Sequence, residues 1–151
     1  MINFADVRDE INTLFLAAWQ ANTAAIAGYV PDIYWQGVQS PIQPDGSKFW
    51  IRLSKQNVIE QQAALSTCVG APGQRMYEAS GLVFVQLFCP KSTSESFDLG
   101  QKLAVVARDA FRGKSTANNI WFRNVRINEL EPEELYYRFN VVSEYEYNEI
   151  G

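Results

Sequence analysis

The segment Leu82-Val83-Phe84-Val85-Gln86-Leu87-Phe88 constrains the fold more than any other part of the chain. It is apolar at both parities, so as a strand it needs cover on both faces and belongs in the middle of a sheet. The strand is expected over 75–88. A chain of 151 residues that is 47% hydrophobic and 13% aromatic can bury a core of ordinary size, and 1–151 reads as one domain.

Amphipathic segments flank that strand. Phe4, Val7, Ile11, Leu14 and Ala18 recur at spacings of three and four, the pattern of a helix with one buried face. Asn3 can cap it, and it should fray near Gly28. Leu99, Leu103, Val106, Ala110 and Phe111 repeat in the same way, with Ser94 or Ser96 as cap and Gly113 as a left-handed stop. Strands are expected at 32–36, 48–56, 119–130 and 135–147, with the continuation of the second through 64 left open. In the last of these, Tyr137, Phe139, Val141, Tyr145 and Tyr147 share one face while Arg138, Asn140, Glu144 and Glu146 share the other. Gly37, Pro41, Pro44, Asp45 and Gly46 mark a long loop or hairpin excursion, and Gly70, Pro72 and Gly73 a turn. The order helix, strands, helix, strands predicts an α+β domain. It has an antiparallel or mixed sheet of four or five strands, with two main helices on one face. The opposite face is then open, and apolar residues there suit a subunit interface.

The chain contains no histidine, which removes Ser/His/Asp and Cys/His nucleophile systems and imidazole metal sites together. Cys68 and Cys89 are too few and too far apart for a four-thiolate zinc site or a Cys-x-x-Cys pair, and read as free thiols in a reducing compartment. A net charge of −4 disfavours clamping nucleic acid through phosphate neutralisation. The sequence from Met1 to Asp6 has no secretory pattern, and no stretch is long and apolar enough to span a membrane. Cytoplasmic synthesis is expected.

The remaining motifs are weak. Gly113-Lys114-Ser115 lacks the earlier glycine of a phosphate loop, Arg108 standing in its place, and follows a helix where a strand is required. Glu129, Glu131, Glu133 and Glu134 surround a proline turn and are expected to point apart into water. Asp32 after Pro31 opens a nuclease-like pattern, but no lysine has an acidic residue two positions before it to complete that pattern. Trp50, Trp121, Tyr136 and Tyr137 could stack on bases, yet lack a basic groove, and are read as core or interface aromatics. Charge is distributed unevenly. Lys102, Arg108, Arg112, Lys114, Arg123 and Arg126 face only Asp109 in their stretch, whereas the segment from Glu129 onward is acidic apart from Arg138. The two patches either neutralise each other within a subunit or pair head to tail between neighbours.

The layout as a whole resembles the tail terminator (tail completion) proteins of long-tailed bacteriophages. The resemblance runs through the N-terminal helix over 7–19, the central hairpin with its Pro/Gly-rich excursion, and the apolar strand from Gly81 to Phe88 followed by Pro90. It continues through Ala110-Phe111, Ile120-Trp121-Phe122 and the closing strand from Tyr137 to Tyr147. It implies a non-enzymatic virion protein without a cofactor, assembled in the host cytoplasm as a hexameric ring. The ring would cap the tail tube, end its polymerisation and join the head. The implied partners are further copies of the chain, the tail tube protein and a head-completion or connector protein. DNA would pass through the ring without specific binding. By position, Gln39, Pro41, Asp45, Lys48 and Gln74 are expected to reach neighbours or the tube. Arg108, Arg112, Arg123 and Arg126 are the candidate interface cations, and Glu144 and Glu146 the candidate channel acids. Two alternatives are another neck component, head-closure or tube-like, and a small ligand-binding domain or enzyme using Glu60 or Glu78.

Overall fold

The structure, a computed structural model, describes residues 2–39, 43–64 and 76–150. Its elements are α1 (Phe4–Asn22), α2 (Ala24–Ala27), β1 (Asp32–Trp35), β2 (Trp50–Ala64), β3 (Met76–Pro90), α3 (Ser96–Asp109), β4 (Trp121–Leu130) and β5 (Tyr136–Ile150). The 5-stranded sheet has the order β1-β2-β3-β5-β4, with β1 parallel to β2 and all other neighbours antiparallel. The doubly apolar run lies in β3, at the centre, as its pattern predicts. The α+β class expected from the element order is the one observed.

The helices lie over one sheet face. Val7, Ile11, Phe15 and Trp19 of α1 are buried, and they join Leu103, Ala104 and Ala107 of α3 and Val83, Val85, Leu87 and Phe139 of the sheet in a single apolar cluster. The stripe therefore runs by steps of four and includes Phe15 and Trp19. Phe4 lies outside it, 52% exposed, with its ring 4.7 Å from the Lys55 ammonium. Asn3 caps α1 as expected, its side-chain oxygen accepting from the Asp6 amide at 3.2 Å. Trp19 donates its indole N–H to the Pro31 carbonyl at 3.0 Å, so the largest buried ring also ties the helix to the strand that follows. Gly28, at φ 84, ends α2 in the left-handed conformation.

Neither serine caps α3. Glu95, in left-handed backbone at φ 61, holds the N-cap position without a side-chain bond, and the buried Ser96 hydroxyl has no partner. Ser96 is already inside the helix and pressed inward, where it cannot serve the free amides of the first turn. Gly113 is left-handed at φ 68, but α3 ends at Asp109, and the intervening turn is closed by Arg112 N–H to the Arg108 carbonyl at 3.0 Å.

Gly100 sets how closely α3 approaches the sheet. A Cβ there would collide with the Cys89 sulfur and come within 3.1 Å of the Phe139 ring. A second close approach is at Gly81, where a Cβ would overlap the Gln56 carbonyl oxygen and lie 2.7 Å from the Tyr145 hydroxyl. That position faces a bulge in β2 between Asn57 and Ile59, and Tyr145 crosses the glycine to donate its hydroxyl to the Asn57 side-chain oxygen. Asn57 in turn donates to the Tyr147 hydroxyl at 3.3 Å. β2 and β3 form a long hairpin that continues, together with the end of β5, past the span of β4.

Candidate assembly surface

Strand parity assigns the other sheet face. Trp50, Arg52 and Ser54 of β2 are in register with Phe88, Gln86 and Phe84 of β3, and these with Arg138, Asn140 and Val142 of β5. At one end is an aromatic cluster. Trp50 and Phe88 stack at 3.9 Å, Tyr34 and Tyr136 meet Trp50 edge-on, and the Arg52 guanidinium lies 5.7 Å from the Trp50 ring. Trp50 is only 7% exposed, and its indole N–H is buried without a partner. The Asn140 side-chain oxygen is likewise unsatisfied. Of the aromatics weighed in the sequence, Trp50 and Tyr136 meet here. Tyr137 lies on the helix-covered side against Phe97, and Trp121 is 55% exposed.

The other end is polar and concave. Ile59 and Gln61 of β2, Glu78 and Ser80 of β3, Glu146 of β5, and Trp121 with Arg123 of β4 surround a concavity of about 320 Å³. A smaller one of about 210 Å³ adjoins it beside Val58 and Leu82. Arg123 pairs with Glu146 at 2.8 Å, and Glu144 accepts from the Asn124 side-chain amide at 2.6 Å and lies 3.9 Å from Arg126. Four of the residues singled out from sequence are thus brought together, and within one subunit. Glu144 and Glu146 are thus compensated by β4 arginines, whereas Glu78 on the same face forms no ion pair among the described residues.

The other singled-out residues are dispersed. Gln39 is exposed; Pro41, Gln74 and Cys68 lie outside the described residues. Asp45 accepts from the Ser47 hydroxyl at 2.7 Å and from its amide at 2.9 Å, and these bonds hold its carboxyl below the usual range. Lys48 lies 5.6 Å from the Tyr29 ring. Arg108 pairs with its neighbour Asp109 at 3.1 Å. Among the described residues Arg112 and Lys114 form no ion pair. Glu133 pairs with Arg138 at 3.3 Å, and the acidic turn around it does not converge. Sequence reasoning missed Val58 and Ile59, exposed by 59% and 53%. The signal was present: two adjacent apolar residues in a polar strand, which break the alternation where the bulge occurs.

Burial pushes the Cys89 thiol up to about 12, far from a reactive thiolate. Among the described residues no three acidic or thiol side chains converge as a metal site would require. Lys55 is almost buried between Phe4 and Tyr145; burial, then the nearby Arg8, lower its ammonium pKa, against the opposing pull of Glu60. No helix of the described residues is long and apolar enough to cross a membrane.

No protein-family model matches the chain, and no curated protein matches it. Solved structures do. The fold is similar to that of a chain in the virion of a native gene transfer agent particle, with a TM-score of 0.58 and 15% identity over 97% of this chain and 100% of that one. A second solved chain aligns with a TM-score of 0.54 and 11% identity, over 89% of this chain and 94% of its own length. At such identities the likeness is one of fold.

Proposed function

We propose that the chain is a non-enzymatic structural virion protein that closes as a hexameric ring on the end of a phage tail tube. There it ends tube polymerisation and presents the surface that joins the head. The observation that carries this reading is a fold shared over essentially the whole of both chains with a component of a gene transfer agent virion. The open sheet face, with its buried but unsatisfied Trp50 and Asn140, and the order of elements expected of a tail terminator support it. Residues 1–151 act as one domain in this reading, without a cofactor, and the partners are further copies of the chain, the tube protein and a head-completion or connector protein. Where the open face lines the bore, Glu144 and Glu146 arrive paired with Arg126 and Arg123. DNA then meets a polar wall of nearly balanced charge.

The test is solution mass by light scattering, alone and with purified tail tubes, followed by imaging of the assemblies. Sixfold rings, free or on tube ends, are expected. A chain that stays monomeric and ignores tubes overturns the proposal, and binding at the head vertex instead assigns it to another neck component.

A further inference from the structure

The two sheet edges differ in character: β2 is uncovered beyond Leu53, and β4 is uncovered only beyond Trp121, whose outer side is bridged to Ser115. β1 covers β2 only from Trp50 to Leu53, and Gln36 caps the next amide, its side-chain oxygen accepting from Lys55 N–H at 2.9 Å. Beyond that, among the described residues, no strand pairs with this edge of β2. It carries Val58 and Ile59, both more than half exposed, and Glu60, which forms no ion pair among the described residues. Proteins protect such edges with charged side chains, proline, bulges or a very short strand; the segment 56–61 has no lysine or proline, and only Glu60 and the bulge at Asn57/Ile59 guard it. The opposite edge is β4. It begins at Trp121, itself 55% exposed, and Ser115 is bridged to Trp121, which places the unpaired Lys114 beside it. One lateral side of the subunit is therefore apolar and acidic, the other apolar and basic.

The register places these features at one level. Ile59 is opposite Ser80, Ser80 opposite Glu146, and Glu146 opposite Trp121. A single row across the sheet thus ends in Ile59 at one edge and in Trp121 at the other. Copies related by rotation about an axis along the strands bring equal levels of opposite edges together, and a heterologous contact of this kind closes into a ring. Successive antiparallel pairings make β2 and β4 antiparallel, so the two strands run in opposite directions where copies meet, with the Ser115 bridge beside Trp121 between them. We propose that the β2 edge at Val58, Ile59 and Glu60 of one copy seats against Trp121 and Lys114 at the β4 edge of the next. The occupant of each edge is a second copy of this chain. The bulges at Asn57/Ile59 and at Arg123/Arg126 interrupt both ladders, so apolar contact and the Glu60–Lys114 attraction carry the contact more than backbone bonds do. This inference rests on the ring reading above.

Two measurements test it. In the assembled wild type, free or on tubes, backbone amides over 56–61 and 121–123 should exchange about tenfold or more slowly than in the monomer. The second uses Ile59→Asp and Trp121→Asp, both at exposed positions, at concentrations where the wild type self-associates. Each variant alone should be monomeric, because each has lost one of the two mating edges. An equimolar mixture should give a species of twice the subunit mass and nothing larger, since one intact edge of each kind remains. That dimer also shows that both variants fold. A wild type that assembles with unchanged exchange at these edges, or either variant assembling alone, overturns the inference and leaves the ring reading standing. A wild type that assembles neither alone nor on tubes overturns both.

Discussion

The two faces of the sheet each hold a buried tryptophan, and the two are treated differently. Trp19, under the helices, is fully buried with its N–H donated to the Pro31 carbonyl. Trp50, on the uncovered face, is almost as buried, by Phe88, Tyr34 and Tyr136, yet its N–H has no partner. A buried unsatisfied donor costs about 1–3 kcal/mol, so a face shaped for subunit stability alone would be expected to satisfy it. The helix-covered face satisfies its tryptophan and leaves only the Ser96 hydroxyl without a partner among the described residues, whereas the open face leaves both Trp50 and Asn140 unsatisfied.

The sharpest way to break this comparison is Trp19→Ala. It empties the largest fully buried site and orphans a carbonyl, and should cost about 3–5 kcal/mol by urea unfolding. A loss below 1 kcal/mol would mean that α1 is not part of the cooperative core. Next is Gly100→Ala. Its methyl group meets the Cys89 sulfur, and overpacking of this kind costs about 1–3 kcal/mol. Cys89→Ala in the same chain should recover most of that loss; if it recovers none, the collision is not what limits the approach of α3.

The two tryptophans can also be compared directly. Phenylalanine keeps most of the ring and removes the N–H. Trp19→Phe should cost about 1–2 kcal/mol, because the Pro31 carbonyl loses its donor in a buried setting. Trp50→Phe should be near neutral, since it deletes a group that has no partner while an aromatic ring remains to stack on Phe88. Equal losses in the two variants would erase the distinction between the faces.

Sequence periodicity discloses the fold to the extent that burial follows period. β3 was legible because only a central strand is apolar on both faces, and β5 because Tyr137, Phe139, Val141, Tyr145 and Tyr147 keep the alternation despite the break at Val142 and Ser143. The α1 stripe was shifted toward Phe4, because spacings of three and four are both compatible with a helix and only packing selects the steps of four through Phe15 and Trp19. The α3 cap was misread because Ser94 and Ser96 have capping chemistry, whereas the chain enters the helix through a left-handed Glu95. At the open face, charge composition exposed Arg123, Arg126, Glu144 and Glu146 but left open whether they pair within one subunit, as they do, or between copies. Pairing depends on the β4–β5 register, which no local pattern encodes. The edge at Val58 and Ile59 escaped for a related reason: it becomes an edge only because β1 stops at Trp35.

A small effect, separable by its pH dependence, is expected on the helix-covered side, where α1 meets the turn before β4. Glu10 accepts from the Asn118 amide at 2.9 Å and from its side-chain amide at 3.0 Å. Burial works to raise its pKa, but the hydrogen bonds from Thr116 and Asn118 together outweigh it and hold the carboxyl below its ordinary 4.5. A carboxylate depressed on folding adds stability that is fully present above the unfolded value and is lost as pH falls from about 4.5 through the folded value. Glu10→Gln should therefore cost about 0.2–1 kcal/mol at neutral pH, as expected of an exposed charged contact. The gap to the wild type should close as the solution is acidified below 4.5. Thermal melts of both proteins across that range supply the check. A gap that stays constant with pH would mean that Glu10 holds the turn by shape alone, and that its charge contributes nothing to joining α1 to the start of β4.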